Sequence, residues 1–220
     1  MEFPVAHLGR GRRRRGVAPN ANLYAVKVLD GTGADWVSDC IEGVQWCIDT
    51  HHDADPGHDI QVINMSFSTV LDRSASVETF ATVLSLAAAE AIIMVASAGN
   101  DGGPVSFPGT HGSVIAVSAT LNGNSLAGWS NRGPEVELAA PGWNILSTSK
   151  GGSYATMSGT SMSSPHVTGV VALILEHADA TTDVRGILLS TAQDLGDPGQ
   201  DDLYDFGLID AYAAVGGQQP

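Results

Sequence analysis

From Val17 onward the chain alternates short apolar runs with stretches of helical length. Residues 22–29 (NLYAVKVL) are rich in β-forming side chains and run into the turn Asp30, Gly31, Thr32, Gly33. Beyond that turn Trp36, Val37, Cys40, Ile41, Val44, Cys47 and Ile48 recur at helical spacing. A second strand is predicted over 60–67 (IQVINMSF), a second helix over 77–90 and a third strand over 91–98 (AIIMVASA). Further short strands are predicted over 114–119 and 136–139, a long and nearly all-apolar helix over 161–176, and a short helix over 183–191. Strands apolar on both faces suit a parallel sheet covered by helices. Alternation of strands and helices therefore predicts one α/β domain, a doubly wound and mostly parallel sheet with helices on both faces, over residues 16–216.

The 220 residues, 43% of them hydrophobic, are enough for a sizeable core. The formal net charge is −14, yet five arginines crowd residues 10–15, so residues 17–220 hold five basic against twenty-three acidic side chains, net −18. Such a body repels nucleic acid phosphate and anionic lipid, which excludes both as partners. Its only lysines are Lys27 and Lys150. Acidic excess with so little lysine suits a protein from brine, where salt screens self-repulsion. The arginine cluster reads either as a nucleic acid or targeting patch or as an unstructured or spurious tail over 1–15, its abrupt composition change favouring the tail, and 217–220 reads as another tail. Cys40 and Cys47 stand two helical turns apart, roughly 10 Å and too far to bridge, so both are expected to be reduced. No stretch is apolar and long enough for a signal peptide or a membrane span, so the chain as written carries no export signal and no anchor.

The stretch with most chemical content is MSGTSMSSPH, residues 157–166, directly before the apolar helix. A serine in the first turn of a buried helix sits where free N–H groups and the positive dipole end converge, which favours negative charge on its oxygen. Ser161 is thus placed either as a nucleophile or as a simple helix cap. Gly159 lets a substrate approach the backbone, and Pro165 falls where its missing N–H costs nothing. Ser97, Ala98, Gly99 and Asn100 end the third strand at the sheet edge where open parallel sheets bind ligands. The Asn100 amide could donate to an oxyanion built on Ser161, or merely turn the chain. Ser66, Phe67 and Ser68 end the second strand at the same edge and could offer main-chain groups to an extended peptide.

Taken together these segments resemble one family, the subtilisin-like serine proteases (subtilases), and within it the haloarchaeal halolysins. GVAPNANLYAVKVLD (16–30), VINMSFS (62–68), VASAGNDG (95–102), FPG (107–109), VIAVSA (114–119), LAAPG (138–142), GTSMSSPHVTGVVALIL (159–175) and GLIDAYAAV (207–215) look like family segments in the family's order. The resemblance implies a subtilisin-like fold and hydrolysis of peptide bonds. By it Ser161 is the nucleophile, Asn100 the side-chain oxyanion donor, and Ser66, Phe67, Ser68, Ser97, Ala98 and Gly99 line the substrate cleft. It further implies polypeptide substrates, a monomer, secretion, and no cofactor beyond room for a structural calcium. Family members place an orienting Asp and then a His-Gly-Thr-His helix ahead of these segments, and this chain begins after both, so it is expected to be truncated at its amino terminus. His7 lacks the flanking Gly and Thr, and no Asp precedes Asp30. His166, five residues along the same helix, points roughly 140° away from Ser161 and cannot serve it as a base. Without a visible base or orienter, the alternative is a peptide-binding remnant that keeps the cleft.

One further cluster spans 50–59, with His51, His52, His58 and Asp53, Asp55, Asp59. It offers either ligands for a divalent metal or a solvated acidic loop, and no tight ligand spacing selects a metal. The Gly31, Thr32, Gly33 turn has no phosphate-binding pattern after it.

Overall fold

A computed structural model describes residues 16–33, 36–53, 59–69, 75–149, 151–179 and 181–217. The arginine-rich tail with His7, residues 54–58 of the acidic cluster, and residues 218–220 lie outside the described residues. Four strands, β1 (Val62–Met65), β2 (Ile93–Ser97), β3 (Val114–Thr120) and β4 (Val136–Pro141), form a parallel sheet in the order β1-β2-β3-β4. All seven residues of β3 are buried, as its unbroken apolar run requires of a central strand. Alternate residues of β2 face opposite ways. Met94 and Ala96 join a core under α1 (Val37–Asp49) and α2 (Ala75–Ala89), whereas Val95 joins a second core under α3 (Thr160–Leu175), α4 (Val184–Thr191) and the short α5 (Ala211–Ala214). Helices thus cover both faces, as the sequence pattern predicts.

Each predicted helix is present within a residue or two of its expected bounds. Cys40 and Cys47 lie on the buried face of α1, and burial pushes the Cys47 thiol up to about 11. Asp183 and Asp210 cap α4 and α5 by accepting the Gly186 and Ala213 N–H groups, each at 2.9 Å.

Two differences from the sequence reading matter. The run 22–29 is not a strand: it makes no ladder, and Leu23, Tyr24 and Val26 are 53%, 40% and 37% exposed. β propensity needs a neighbouring strand to act on. This segment packs instead through Val26 and Val28 over Gly43 of α1. Between it and the outer edge of β1, which among the described residues pairs only with β2, runs an open groove of about 1560 Å³. The second difference is a hairpin, β5 (Ile145–Ser149) and β6 (Ser153–Met157), in a stretch for which the sequence reading gave no element. Its signal was the Lys-Gly-Gly between two five-residue runs; Gly151 and Gly152 both take φ near +80°.

Candidate active site

The carboxyl ends of the parallel strands meet the first turn of α3, which lies across all four. Beyond β4 the chain passes so close that a Cβ on Gly142 would meet Ser163 Oγ at 2.5 Å and Ala119 Cβ at 2.6 Å. Gly142 there donates to Thr120 O at 3.0 Å and accepts from Gly159 N–H at 2.9 Å, which fixes the entry to α3. Ser161 is the second residue of the helix, half-buried, and its own N–H is among the first-turn amides that a helix leaves without an intrahelical acceptor.

Asn100, which follows β2, is exposed and faces this turn. Its Oδ1 accepts from Thr160 N–H at 2.8 Å and from Thr160 Oγ1 at 3.0 Å. A backbone N–H can only donate, so Oδ1 is fixed on Thr160, and Nδ2 lies beside Gly159. A side-chain amide and a first-turn helix N–H are the kinds of donor that can bind an oxyanion.

Ser161 Oγ donates to Ser66 O at 3.1 Å, its one hydrogen bond among the described residues. A carbonyl cannot take that proton, so a nucleophilic Ser161 must exchange this bond for one to a base. His166 does not supply it: its Nδ1 lies 2.8 Å from Met162 O, one turn back on the same helix. A second Ser–His pair, Ser85 Oγ and His111 Nε2 at 3.3 Å, lies on α2 and the loop before β3. His111 Nδ1 accepts from Ser113 N–H at 3.2 Å, so the neutral ring carries its proton on Nε2 and faces Ser85 as a donor. Burial also holds the His111 pKa below its ordinary value. That pair is not a nucleophile and its base.

The predicted cleft residues fall into two groups. Ser66 is buried, Phe67 half-buried against the α1/α2 core and Ser68 exposed. The Ser66 hydroxyl donates to Ser161 O at 2.9 Å, accepts from Asn64 Nδ2 at 2.8 Å and meets Ser164 Oγ at 2.9 Å, so it ties β1 to α3 and has no capacity left. Ser97, Ala98 and Gly99 are buried. Ala98 N–H donates to Val117 O and its carbonyl accepts from Ser106 N–H, while Gly99 N–H donates to Thr160 Oγ1 and its carbonyl accepts from Asn131 N–H. These two residues offer a ligand shape rather than free main-chain hydrogen bonds.

Asn131 is a residue the sequence did not single out. It is 2% exposed; Oδ1 accepts from the N–H groups of Asp101 and Gly103 at 2.8 and 3.2 Å, and Nδ2 donates to Pro104 O at 2.7 Å and Ser106 Oγ at 3.3 Å. The loop that carries Asn100 is folded around this one amide. Gly99 has φ +115°, and a Cβ there would collide with Asn131 Nδ2, so the site demands glycine twice over.

Among the described residues no three His, Cys, Asp or Glu side chains are grouped to hold a metal. In the cluster at 50–59, His51 Nδ1 meets Asp59 Oδ1 at 2.9 Å and His52 Nε2 meets Glu90 Oε1 at 3.4 Å. No described helix is long and apolar enough to cross a membrane.

A profile described as the subtilase family matches residues 5–207. Subtilisin E of Bacillus subtilis (strain 168) is 41% identical over 207 residues, which cover 91% of this chain and 50% of that protein. The minor extracellular protease Epr of the same strain is 38% identical over 198 residues, 88% of this chain and 29% of Epr. The chain therefore spans half or less of the length of these two relatives. Among solved structures, a lanthipeptide protease superposes with a TM-score of 0.78 at 26% identity, covering 91% of this chain and 71% of that one.

Proposed function

This chain belongs to the subtilase family, and we propose that it carries the nucleophile and oxyanion machinery of a secreted serine endopeptidase. Ser161 attacks the peptide carbonyl, Asn100 Nδ2 and the Ser161 N–H bind the tetrahedral oxyanion, and an acyl-enzyme forms on Ser161. The observation that carries this reading is the fixed orientation of Asn100, whose Oδ1 accepts from Thr160, the residue before Ser161, and whose Nδ2 lies beside Gly159. The proton of Ser161 Oγ goes to a histidine held by an aspartate, and both belong to polypeptide other than the described residues. The groove of about 1560 Å³ supports that part of the reading, since its lining includes Ser66, whose carbonyl accepts from Ser161 Oγ, and Met162, the residue after Ser161. Export is proposed from the likeness to an extracellular protease, and a salty habitat from the acidic body.

The magnitude at stake comes from subtilisin itself, which serves as the standard worked case: losing the histidine alone costs about 10⁶ in kcat. The 220-residue chain alone should therefore show no turnover of a peptide ester. Addition of a strand and helix bearing Asp-Ser-Gly and His-Gly-Thr-His should give turnover that S161A abolishes. Strong Ser161-dependent turnover by the chain alone would overturn the assignment of the base. Failure of every complementing segment to give turnover would favour a peptide-binding remnant.

A further inference from the structure

Helix α3 starts at Thr160 and holds Pro165 inside it, four residues after Ser161. Proline has no N–H, so the Ser161 carbonyl lacks the donor that residue 165 would otherwise give it in the helical ladder. The expectation that this missing N–H costs nothing therefore fails at Ser161. A hydroxyl from another element stands in its place: Ser66 Oγ, just beyond β1, donates to Ser161 O at 2.9 Å. That bond uses the only proton of Ser66 Oγ. Ser164 Oγ, at 2.9 Å, must then donate to Ser66, and Asn64 Nδ2 donates to it at 2.8 Å, so both lone pairs are occupied and the hydroxyl cannot turn away. Ser66 and Ser164 are buried, which keeps water from competing.

We propose that Ser66 is a positioning residue for the nucleophile, its hydroxyl replacing the helix donor that Pro165 cannot supply. The inference rests on the reading of Ser161 as nucleophile. Ser161 and Ser66 hold each other twice, since Ser161 Oγ donates to Ser66 O at 3.1 Å while Ser66 Oγ donates to Ser161 O. Only the first of these bonds is given up when Ser161 passes its proton to a base; the second keeps the Ser161 main chain in place. A bond within the ladder would fix Ser161 relative to its own helix alone. The bond from Ser66 fixes it relative to the sheet, where β1 pairs with β2 and Asn100 follows β2. Nucleophile and oxyanion donor are thereby referred to one frame, and a misplacement of about 1 Å between such groups costs on the order of 10² in rate.

The test uses the full chain with the complementing strand and helix, and a serine-directed peptidyl phosphonate whose adduct on Ser161 is followed at several concentrations. S66A should lower the limiting rate about tenfold, the worth of roughly one hydrogen bond, and leave the half-saturating concentration unchanged. P165A returns an N–H to the ladder, so adding S66A to P165A should lower the rate by about twofold or less. In the chain alone, S66A should speed hydrogen exchange of the Met162 amide, which donates to Gly159 O at 2.9 Å, and adding S66A to P165A should not. Should S66A not fold, S66C, close in volume and a weak donor, carries the same comparison. Equal labelling of parent and S66A, or the same loss with and without P165A, would overturn the positioning role and leave the nucleophile reading standing. No adduct on Ser161 in the parent would overturn both.

Discussion

Replacing Asn131 by Asp changes almost no volume and inverts one hydrogen-bonding role. Oδ1 can still accept from Asp101 and Gly103, but the amide that donates to Pro104 O at 2.7 Å becomes a carboxylate oxygen facing a carbonyl. At a site 2% exposed, an unmet acceptor pair costs about 1–3 kcal/mol. Protonation restores a donor, so the folded state should raise the pKa of the new carboxyl above its unfolded value near 3.9. The sign follows: the variant is closest to the parent below the unfolded pKa, and its deficit grows as pH rises through the folded one. Urea midpoints of parent and N131D at pH 4 and pH 7.5 should give a deficit of about 2 kcal/mol at pH 7.5 and well under 1 kcal/mol at pH 4. N131A should cost about 3 kcal/mol at both, since most of its lost bonds leave buried partners. A deficit for N131D that is flat, or larger in acid, would refute the idea that one amide organises the Asn100 loop.

Arg185 holds Glu137 through two hydrogen bonds, at 2.7 and 2.5 Å, while burial pushes the Glu137 pKa up against that partner. R185A should cost about 2–3 kcal/mol, and E137Q in the same chain should recover most of it; denaturant midpoints decide, and no recovery would remove the buried charge as the cause. His111, neutral and held low by burial, contributes stability that is present above its unfolded pKa and lost as pH falls through the folded one. H111Q should therefore flatten the loss of stability between pH 7.5 and pH 5, and an unchanged slope would contradict this. With net −18 over residues 17–220, the thermal midpoint should rise from 0.1 to 2 M KCl as the Debye length falls from about 10 Å to below about 3 Å. An equal gain from an uncharged osmolyte would assign the effect to exclusion rather than screening.

The fold was legible wherever a residue's environment depends on its neighbours in sequence. The unbroken apolar run of β3 announced a central strand, and the periodicity of Cys40, Val44 and Cys47 announced the buried face of α1. The run 22–29 misled because a strand depends on its pairing partner, and β1 stands across a groove from it. The first turn of α3 and the loop after β2, which the hydrogen bonds of Thr160 to Asn100 bring together, lie in dense sequence motifs. Asn131, in contrast, sits in an ordinary Ser-Asn-Arg-Gly stretch, and its role exists only because Asp101, Gly103, Pro104 and Ser106 wrap around it, some thirty residues upstream. The work of Ser66 was hidden for the same reason: its partners Ser161 and Ser164 lie nearly a hundred residues away.

The central claim is that Ser161 is a nucleophile whose oxyanion site is built in this chain and whose base comes from elsewhere. A serine-directed peptidyl phosphonate reports this directly, because it needs both the activated oxygen and the oxyanion donors. Intact-mass and peptide-mass analysis should show one adduct, on Ser161, when the complementing strand and helix are present, and none on the chain alone. N100A should slow adduct formation about 10²–10³-fold. An adduct on any other residue, or equally fast labelling of Ser161 without the complementing segment, would contradict the account.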